Sequence, residues 1–350
     1  VLEAERRLLE AGGTKLYRPI DGDARFRTLV RDLVLGPDHE AVTSGRAVAT
    51  QTPGGTGGLR VVADLLRQTG GGGTMWISDP TWPNHPPLFH AAGYRTRTYP
   101  YADDTARAID EDAMLATLEG ASPGDIVVLH GACHNPTGLD PSPDLWRRIA
   151  DLVERRGLLP FVDLAYQGFG DGLREDAAGL LELVRPGAEV VVSTSFSKTF
   201  SLYAERIGAV LVIARSAQDA AAIQTHVKIA VRTNYSNPPA HGADVVATIL
   251  DDPALRTQWE GELTAMRARI RSNRAALVEA LAARRVPGDL SAIAAQRGTF
   301  AMLGLTVPQV TALREEHGVY LVGRGRINVA GFTTANLGPF TEALAAVLGG

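Results

Sequence analysis

The sequence predicts an α/β fold: a mostly parallel central sheet flanked by helices, followed by a smaller α+β unit towards the C-terminal end. Three observations predict it. Short apolar runs alternate with amphipathic helical patterns through the middle of the chain. Their strand–helix–strand spacing is that of a parallel sheet with crossover helices. One long helical pattern, from about 253 to 285, then leads into a stretch that mixes short strands and helices. A length of 350 residues suits one large unit plus a smaller one, and 45% hydrophobic residues supply the cores. We place the division at 1–265 and 266–350.

The chain opens with "VLEAERRLLEAGG", a charged amphipathic helix rather than a signal peptide. "TPGGTGGLRVVADLLRQ" (52–68) is a glycine-rich turn opening a second amphipathic helix. Free N–H groups and the helix dipole there suit a phosphate; a plain loop before a helix is the competing interpretation. "TGGGG" (69–73) is a turn. "DIVVLH" (125–130), "LLPFVDLA" (158–165) and "EVVVSTS" (189–195) are buried strands. Between them lie helices at 142–157 and 176–187, the second stopped by Pro186, and "RIGAVLVIA" (206–214) is a further strand. Asp252 and Pro253 are the N-cap and first residue of the long helix. Beyond it come strands in "GTFAMLGL", "GVYLV" and "RINVAG", and helices in "PQVTALREEHG" and "FTEALAAVLGG".

Composition removes several function classes. A net charge of −4 and a pI of about 6.1 argue against nucleic acid or an anionic membrane as partner. No apolar run reaches membrane-spanning length. The lone Cys133 excludes an internal disulfide framework and fits a reducing, cytoplasmic setting. Without C-x-x-C or H-E-x-x-H, no metal site is expected, and no G-x-S-x-G nucleophile turn occurs. Cys133 and His134 are neighbours whose side chains point apart in extended chain, so Cys133 is taken as a packed small residue.

Ligands of parallel sheets bind at the carboxyl ends of the strands. Three polar features fall there: "CHNPTG" after the first buried strand, Asp163 ending the second, and Lys198 after the third. Only three of the 35 basic residues are lysine: Lys15, Lys198 and Lys228. Arginine stays charged, whereas a lysine amine can lose its proton, form a Schiff base and shuttle protons. Lys198 is therefore a candidate for chemistry rather than charge.

The fuller motifs are "QTPGGTGGLR", "SDPTWPNH", "HGACHNPTGLDP", "VDLAYQGFG", "SFSKTFSLYAERIGA", "VRTNYSNPPAHGA" and "GRINVAG". In order and spacing they resemble the aspartate and aromatic-amino-acid (tyrosine) aminotransferases, class I pyridoxal-phosphate enzymes of fold type I. The resemblance runs almost end to end. It lacks the family's opening segment, which helps close the substrate pocket, and the chain does not begin with Met, so a segment outside this sequence is expected.

The resemblance implies pyridoxal 5'-phosphate as cofactor, amino-acid and 2-oxo-acid substrates, and a homodimer with shared active sites. It implies that Lys198 carries the cofactor aldehyde and moves the substrate Cα proton. Asp163 would pair with the ring nitrogen, with His85 behind it. Asn135 and Tyr166 would hydrogen-bond the phenolic oxygen, and Trp82 would stack on the ring. Gly55, Thr56, Ser195 and Arg206 would hold the phosphate, joined by Tyr17 of the partner subunit. Arg326 would clamp the substrate α-carboxylate, also bounded by Trp82 and Asn135. Arg232 would come from the partner subunit to meet a distal carboxylate, with Lys228 solvated or beside the phosphate.

Substrate signals conflict. Leu16 and the phrases "LYRPIDG" and "QRGTF" tilt towards aromatic side chains; Thr56 and Asn237 tilt towards aspartate. Arg324 stands where the family carries a small residue. The expectation is a dual-range enzyme with 2-oxoglutarate as acceptor. The alternatives are an aspartate-restricted enzyme, a β-lyase or decarboxylase on the same cofactor, and a non-enzymatic cofactor-binding domain.

Overall fold

The structure is a computed structural model and describes residues 1–71, 73–103, 107–288 and 290–349. Seven strands form the central sheet: β1 (Ala47–Pro53), β2 (Met75–Asp79), β3 (Thr96–Pro100), β4 (Ile126–His130), β5 (Leu159–Leu164), β6 (Val190–Ser195) and β7 (Ile207–Ile213). Their order across the sheet is β1-β7-β6-β5-β4-β2-β3. The pairs between β3 and β6 are parallel, while β7 runs antiparallel to both β6 and β1. Six strands therefore point one way, and the reversed β7 starts at the edge where they end and carries the chain back across the sheet.

The continuous apolar runs are explained by burial on both faces. Along β4, Val127 and Leu129 belong to one apolar cluster and Ile126 and Val128 to another. The first cluster takes in Leu145, Trp146 and Ile149 of the helix Pro143–Arg156; the second takes in Leu59, Val62 and Leu65 of the helix Gly54–Gln68. Successive strand residues thus feed opposite layers. Ser142 caps the former helix by accepting from the Leu145 N–H, and Gly157 ends it at φ 62°. The long helix is Pro253–Ala283, with the Asp252 side chain accepting from the N–H groups of Ala254 and Leu255. A third apolar cluster, including Leu281, Leu303, Ile327 and Leu344, surrounds β8 (Phe300–Met302) and β9 (Arg326–Asn328), an antiparallel pair. The helices Val307–His317 and Leu337–Gly349 complete this region.

Several expectations need adjustment. The stretch 176–187 is a 3₁₀ turn at Glu175–Ala177 followed by a helix at Ala178–Leu183. It stops short of Pro186, whose ring disfavours helical backbone in the residue before it. "GVYLV" forms no strand; only Val322 bridges to Arg326, and Tyr320 and Val322 are exposed. At Cys133 the backbone is left-handed, φ 54°, so the chain there is not extended. Its thiol is nevertheless buried, and burial pushes its pKa well up, in keeping with a packed residue. Within the 69–73 turn, Gly72 lies outside the described residues, as does Gly350 of the expected "FTEALAAVLGG" helix.

Candidate active site

The site is built where the strands end. The β5 terminus supplies Asp163, with Tyr166 just beyond it. Asn135 follows β4, and Thr81, Trp82 and His85 follow β2. After β6 the chain makes a turn pinned by Phe196 and Phe200, both buried, which flank Lys198. Phe200 stacks on Trp259 with ring centroids 4.3 Å apart, and the Ser201 N–H bonds to Lys198 O at 3.0 Å. Arg206, at φ 51°, then leads into β7. Finally β1 delivers the N-terminus of the helix Gly54–Gln68 to the same edge. The resulting cleft, of about 230 Å³, is lined by Gly55, Thr56, Trp82, Asn135, Asp163, Tyr166, Ser195, Lys198 and Arg206. Every residue assigned by the resemblance to the cofactor within one chain lines it, except His85, which stands behind Asp163.

His85 is fully buried, with Nε2 3.3 Å from Asp163 Oδ2 and Nδ1 2.8 Å from Thr81 Oγ1. Thr81 Oγ1 is also 3.2 Å from His130 Nε2, and His130 Nδ1 accepts from the Asn135 N–H at 3.5 Å. Burial pulls His130 down to about 3, aided by His85 and opposed by Asp163, so it is neutral. One direction of donation then satisfies every group. Asn135 N–H donates to His130, His130 to Thr81, Thr81 to His85, and His85 to the carboxylate. Burial alone pushes Asp163 up; the His85 hydrogen bond, with the nearby Lys198 amine, outweighs it and holds it below the usual carboxylate value. Asp163 is thus an ionised carboxylate facing the cleft. His130, Thr81 and Ser197 were missed at the level of sequence. The available signal for His130 was its place at the end of β4, the same signal that marks Asp163.

At the other end of the cleft lies a donor cradle. Gly54 sits at φ 72°, and a Cβ there would run into Arg206 Nη2. A Cβ at Gly55 would come within 3.1 Å of Ser195 Cβ, so side chains at these positions would fill the cradle. Gly58 lets the helix close on the sheet, since a Cβ would meet Ser193 Oγ at 2.5 Å. Around this space stand the first helical N–H groups, the Ser195 and Ser197 hydroxyls, 3.3 Å apart, and the Arg206 guanidinium, 3.4 Å from Ser197 Oγ. Such donors at a helix N-terminus fit a phosphate dianion. A carboxylate opposite it fits a cationic ring nitrogen, and the amine between them fits an aldehyde. The residues present therefore fit pyridoxal phosphate.

Lys198 Nζ lies 4.8 Å from the centre of the Tyr166 ring. Arg326 reaches the rim from β9: its Nη1 donates to Asn135 Oδ1 at 3.5 Å, and its guanidinium lies over Phe300 at 4.8 Å. Other assigned residues do not enter this chain's cleft. Tyr17 is 91% exposed and Leu16 77%. Arg232 is exposed and donates to Ser236 Oγ at 2.7 Å. Asn237 donates to Arg18 O at 2.7 Å, bracing the backbone beside Tyr17. Lys228 pairs with the buried Asp21 at 3.2 Å while its side chain stays 44% exposed, so it is a partly solvated ion-pair partner. Arg324 borders a separate cleft with Asp79, Thr98, Asp103 and Met302.

Burial pulls the Lys198 amine below the ordinary lysine range, with Asp163 opposing and Arg206 reinforcing. A lysine depressed in the folded state costs stability while it is protonated, and the cost fades as pH rises to the unfolded value of about 10.4. Cofactor-free Lys198→Met should therefore melt higher than cofactor-free wild type at pH 7, on the order of a few degrees. The gap should narrow as pH approaches 10. Melting curves with no gap at pH 7, or a gap that widens with pH, would contradict this electrostatic account.

The family profile described as "Aminotransferase class I and II" matches residues 1–344. The chain is 46% identical over 348 residues to the aspartate aminotransferase of Escherichia coli (strain K12), covering 99% of this chain and 88% of that protein. It is 47% identical over 344 residues to the aromatic-amino-acid aminotransferase of Pseudomonas aeruginosa, covering 98% and 86%. A crystal structure of the aromatic-amino-acid aminotransferase from Burkholderia pseudomallei, covalently bound to pyridoxal phosphate, superposes with a TM-score of 0.97 at 47% identity, covering 99% of this chain and 87% of that one. The chain belongs to the class I and II aminotransferases, with the fold type I architecture of its structural neighbours.

Proposed function

We propose that this aminotransferase binds pyridoxal phosphate in the strand-end cleft and exchanges the amino group of an aromatic or dicarboxylic L-amino acid with 2-oxoglutarate by a ping-pong sequence. One observation carries this: a single cleft holds a lysine with a depressed pKa, an ionised strand-end carboxylate and a phosphate-shaped donor cradle. When bound, pyridoxal phosphate supplies an electron sink for negative charge at the substrate Cα. Lys198 would carry the cofactor aldehyde, and its amine is the group that would hold and return the substrate Cα proton. Asp163, oriented by His85, keeps the proton on the ring nitrogen. Asn135 accepts from Arg326 through Oδ1, which leaves its Nδ2 hydrogens to donate to the phenolic oxygen beside Tyr166. Trp82 walls one face. Gly55, Thr56, Ser195, Ser197 and Arg206 hold the phosphate, and Arg326 takes the substrate α-carboxylate with its planar fork.

The exposed Tyr17 and Arg232 lie outside their own chain's cleft, which supports a homodimer in which each completes the partner's site. Near-equal identity to aspartate and aromatic relatives supports the dual range. We also keep the division near residue 265, supported by the separate apolar cluster beyond the middle of the long helix. Among the described residues no helix is long and apolar enough to cross a membrane, and a cytoplasmic setting suits the lone buried thiol.

Borohydride reduction of the holoenzyme should fix the cofactor on Lys198 in peptide mapping, and an adduct on Lys15 or Lys228 would overturn the assignment. Lys198→Arg should lose more than the roughly 10²–10⁴-fold typical of a missing general base, because the covalent attachment goes too. For substrate range, Arg232→Leu should lower kcat/KM for aspartate by about 10²-fold or more while leaving phenylalanine nearly unchanged. Equal losses on both substrates would show that Arg232 shapes the site without reading the side chain.

A further inference from the structure

Arg274 projects from the long helix and is fully buried. Its Nη1 donates to Ile293 O at 3.3 Å and Gln296 Oε1 at 3.4 Å. Its Nη2 donates to the carbonyl oxygens of Arg297 at 3.1 Å, Gly298 at 2.8 Å and Phe300 at 2.6 Å. All five acceptors are uncharged. Burial pulls the guanidinium down to about 10, opposed by Cys133 and Asp140, which leaves it charged at neutral pH. A buried cation with no carboxylate bonded to it is a poor source of stability, since apolar packing would fill the volume at less desolvation cost. What it provides is geometry: a rigid planar fork that converges several carbonyls of one irregular segment, beyond the reach of a lysine's single ammonium.

The gathered segment touches the site on two sides. The Arg297 N–H bonds to Gly138 O at 2.7 Å. A Cβ at Gly138 would lie 2.7 Å from Phe300 O and 2.9 Å from Arg297 O, so the segment lies flat on the loop carrying Asn135. On the other side Phe300 opens β8, whose Met302 pairs with Arg326. The Phe300 ring lies beneath the Arg326 guanidinium and presents an edge contact to Tyr166 at 6.3 Å.

We propose that Arg274 is a positioning residue for substrate binding: by gathering the carbonyls of residues 293–300 it fixes the surface on which Arg326 and Asn135 meet. The proposal rests on Arg326 being the carboxylate clamp. The test is an equilibrium titration of holoenzyme with glutarate, a dicarboxylate with no amino group, on wild type, Arg274→Lys, Arg326→Lys and the double variant. Arg274→Lys should keep its cofactor yet bind glutarate about tenfold or more weakly, as expected for a clamp displaced by a fraction of an ångström. In the Arg326→Lys background the same change should add little, because both act through one contact. Unchanged affinity in folded, cofactor-loaded Arg274→Lys, or full additivity in the double variant, would overturn the positioning role and mark Arg274 as structural only. Unchanged affinity in Arg326→Lys would instead sink the clamp, and this proposal with it. If Arg274→Lys does not fold, Gln296→Leu decides: a loss of about two- to fivefold, the scale of one hydrogen bond, supports the proposal, and no loss overturns it.

Discussion

An ionised carboxylate at the end of a buried strand is the constraint on which the rest of the site depends. Asp163 is 9% exposed, and water does little to stabilise its charge. Its ionisation has to be maintained by what surrounds it, and desolvation works against it. The structure meets that requirement with a hydrogen-bond chain through His85, Thr81 and His130 to the backbone of Asn135. These groups arise from three neighbouring strands, so the carboxylate's charge state is a property of the sheet edge as a whole. The neutrality of His130 matters as much as the presence of His85, because a neutral ring gives the chain one direction.

The sheet order explains how remote residues converge. With β6, β5 and β4 adjacent and parallel, Asp163 at the end of β5 and the loops bearing Lys198 and Asn135 lie side by side. Because β7 runs in reverse, its start lies at the same edge, so Arg206 just before it faces the helix that β1 delivers. Glycine at 54, 55 and 58 keeps that helix terminus close enough for its N–H groups to share a space with Ser195 and Arg206. A bound cofactor's phosphate would meet the donor cradle, and its ring nitrogen would meet the carboxylate.

What could be read from the sequence follows from burial. β4, β5 and β6 were legible because strands covered on both faces are continuous apolar runs. β1 was not, although most of it is buried: its "TQT" is polar and bonded within the interior, with Gln51 donating to Pro239 O and accepting from Tyr235. β3 is an edge strand with mostly exposed side chains, which leaves little pattern to detect. "GVYLV" has strand composition but makes only the single bridge from Val322 to Arg326, and the glycine turn after it, at φ 59° and 87°, leads straight into β9. Lys198 stood out because lysine is rare here, whereas Arg274 was one arginine among many and only its buried carbonyl partners distinguish it. Lys228 was the reverse case, rare in type yet engaged with Asp21.

The central claim is that Asp163 keeps the cofactor ring nitrogen protonated. The most direct measurement is the ¹⁵N chemical shift of that nitrogen in holoenzyme reconstituted with ¹⁵N-labelled pyridoxal phosphate, compared between wild type and Asp163→Asn. A protonated shift in wild type across neutral pH, replaced by an unprotonated one in Asp163→Asn, is the predicted result. An unprotonated nitrogen in wild type, or a protonated one that survives loss of the carboxylate, would contradict the account.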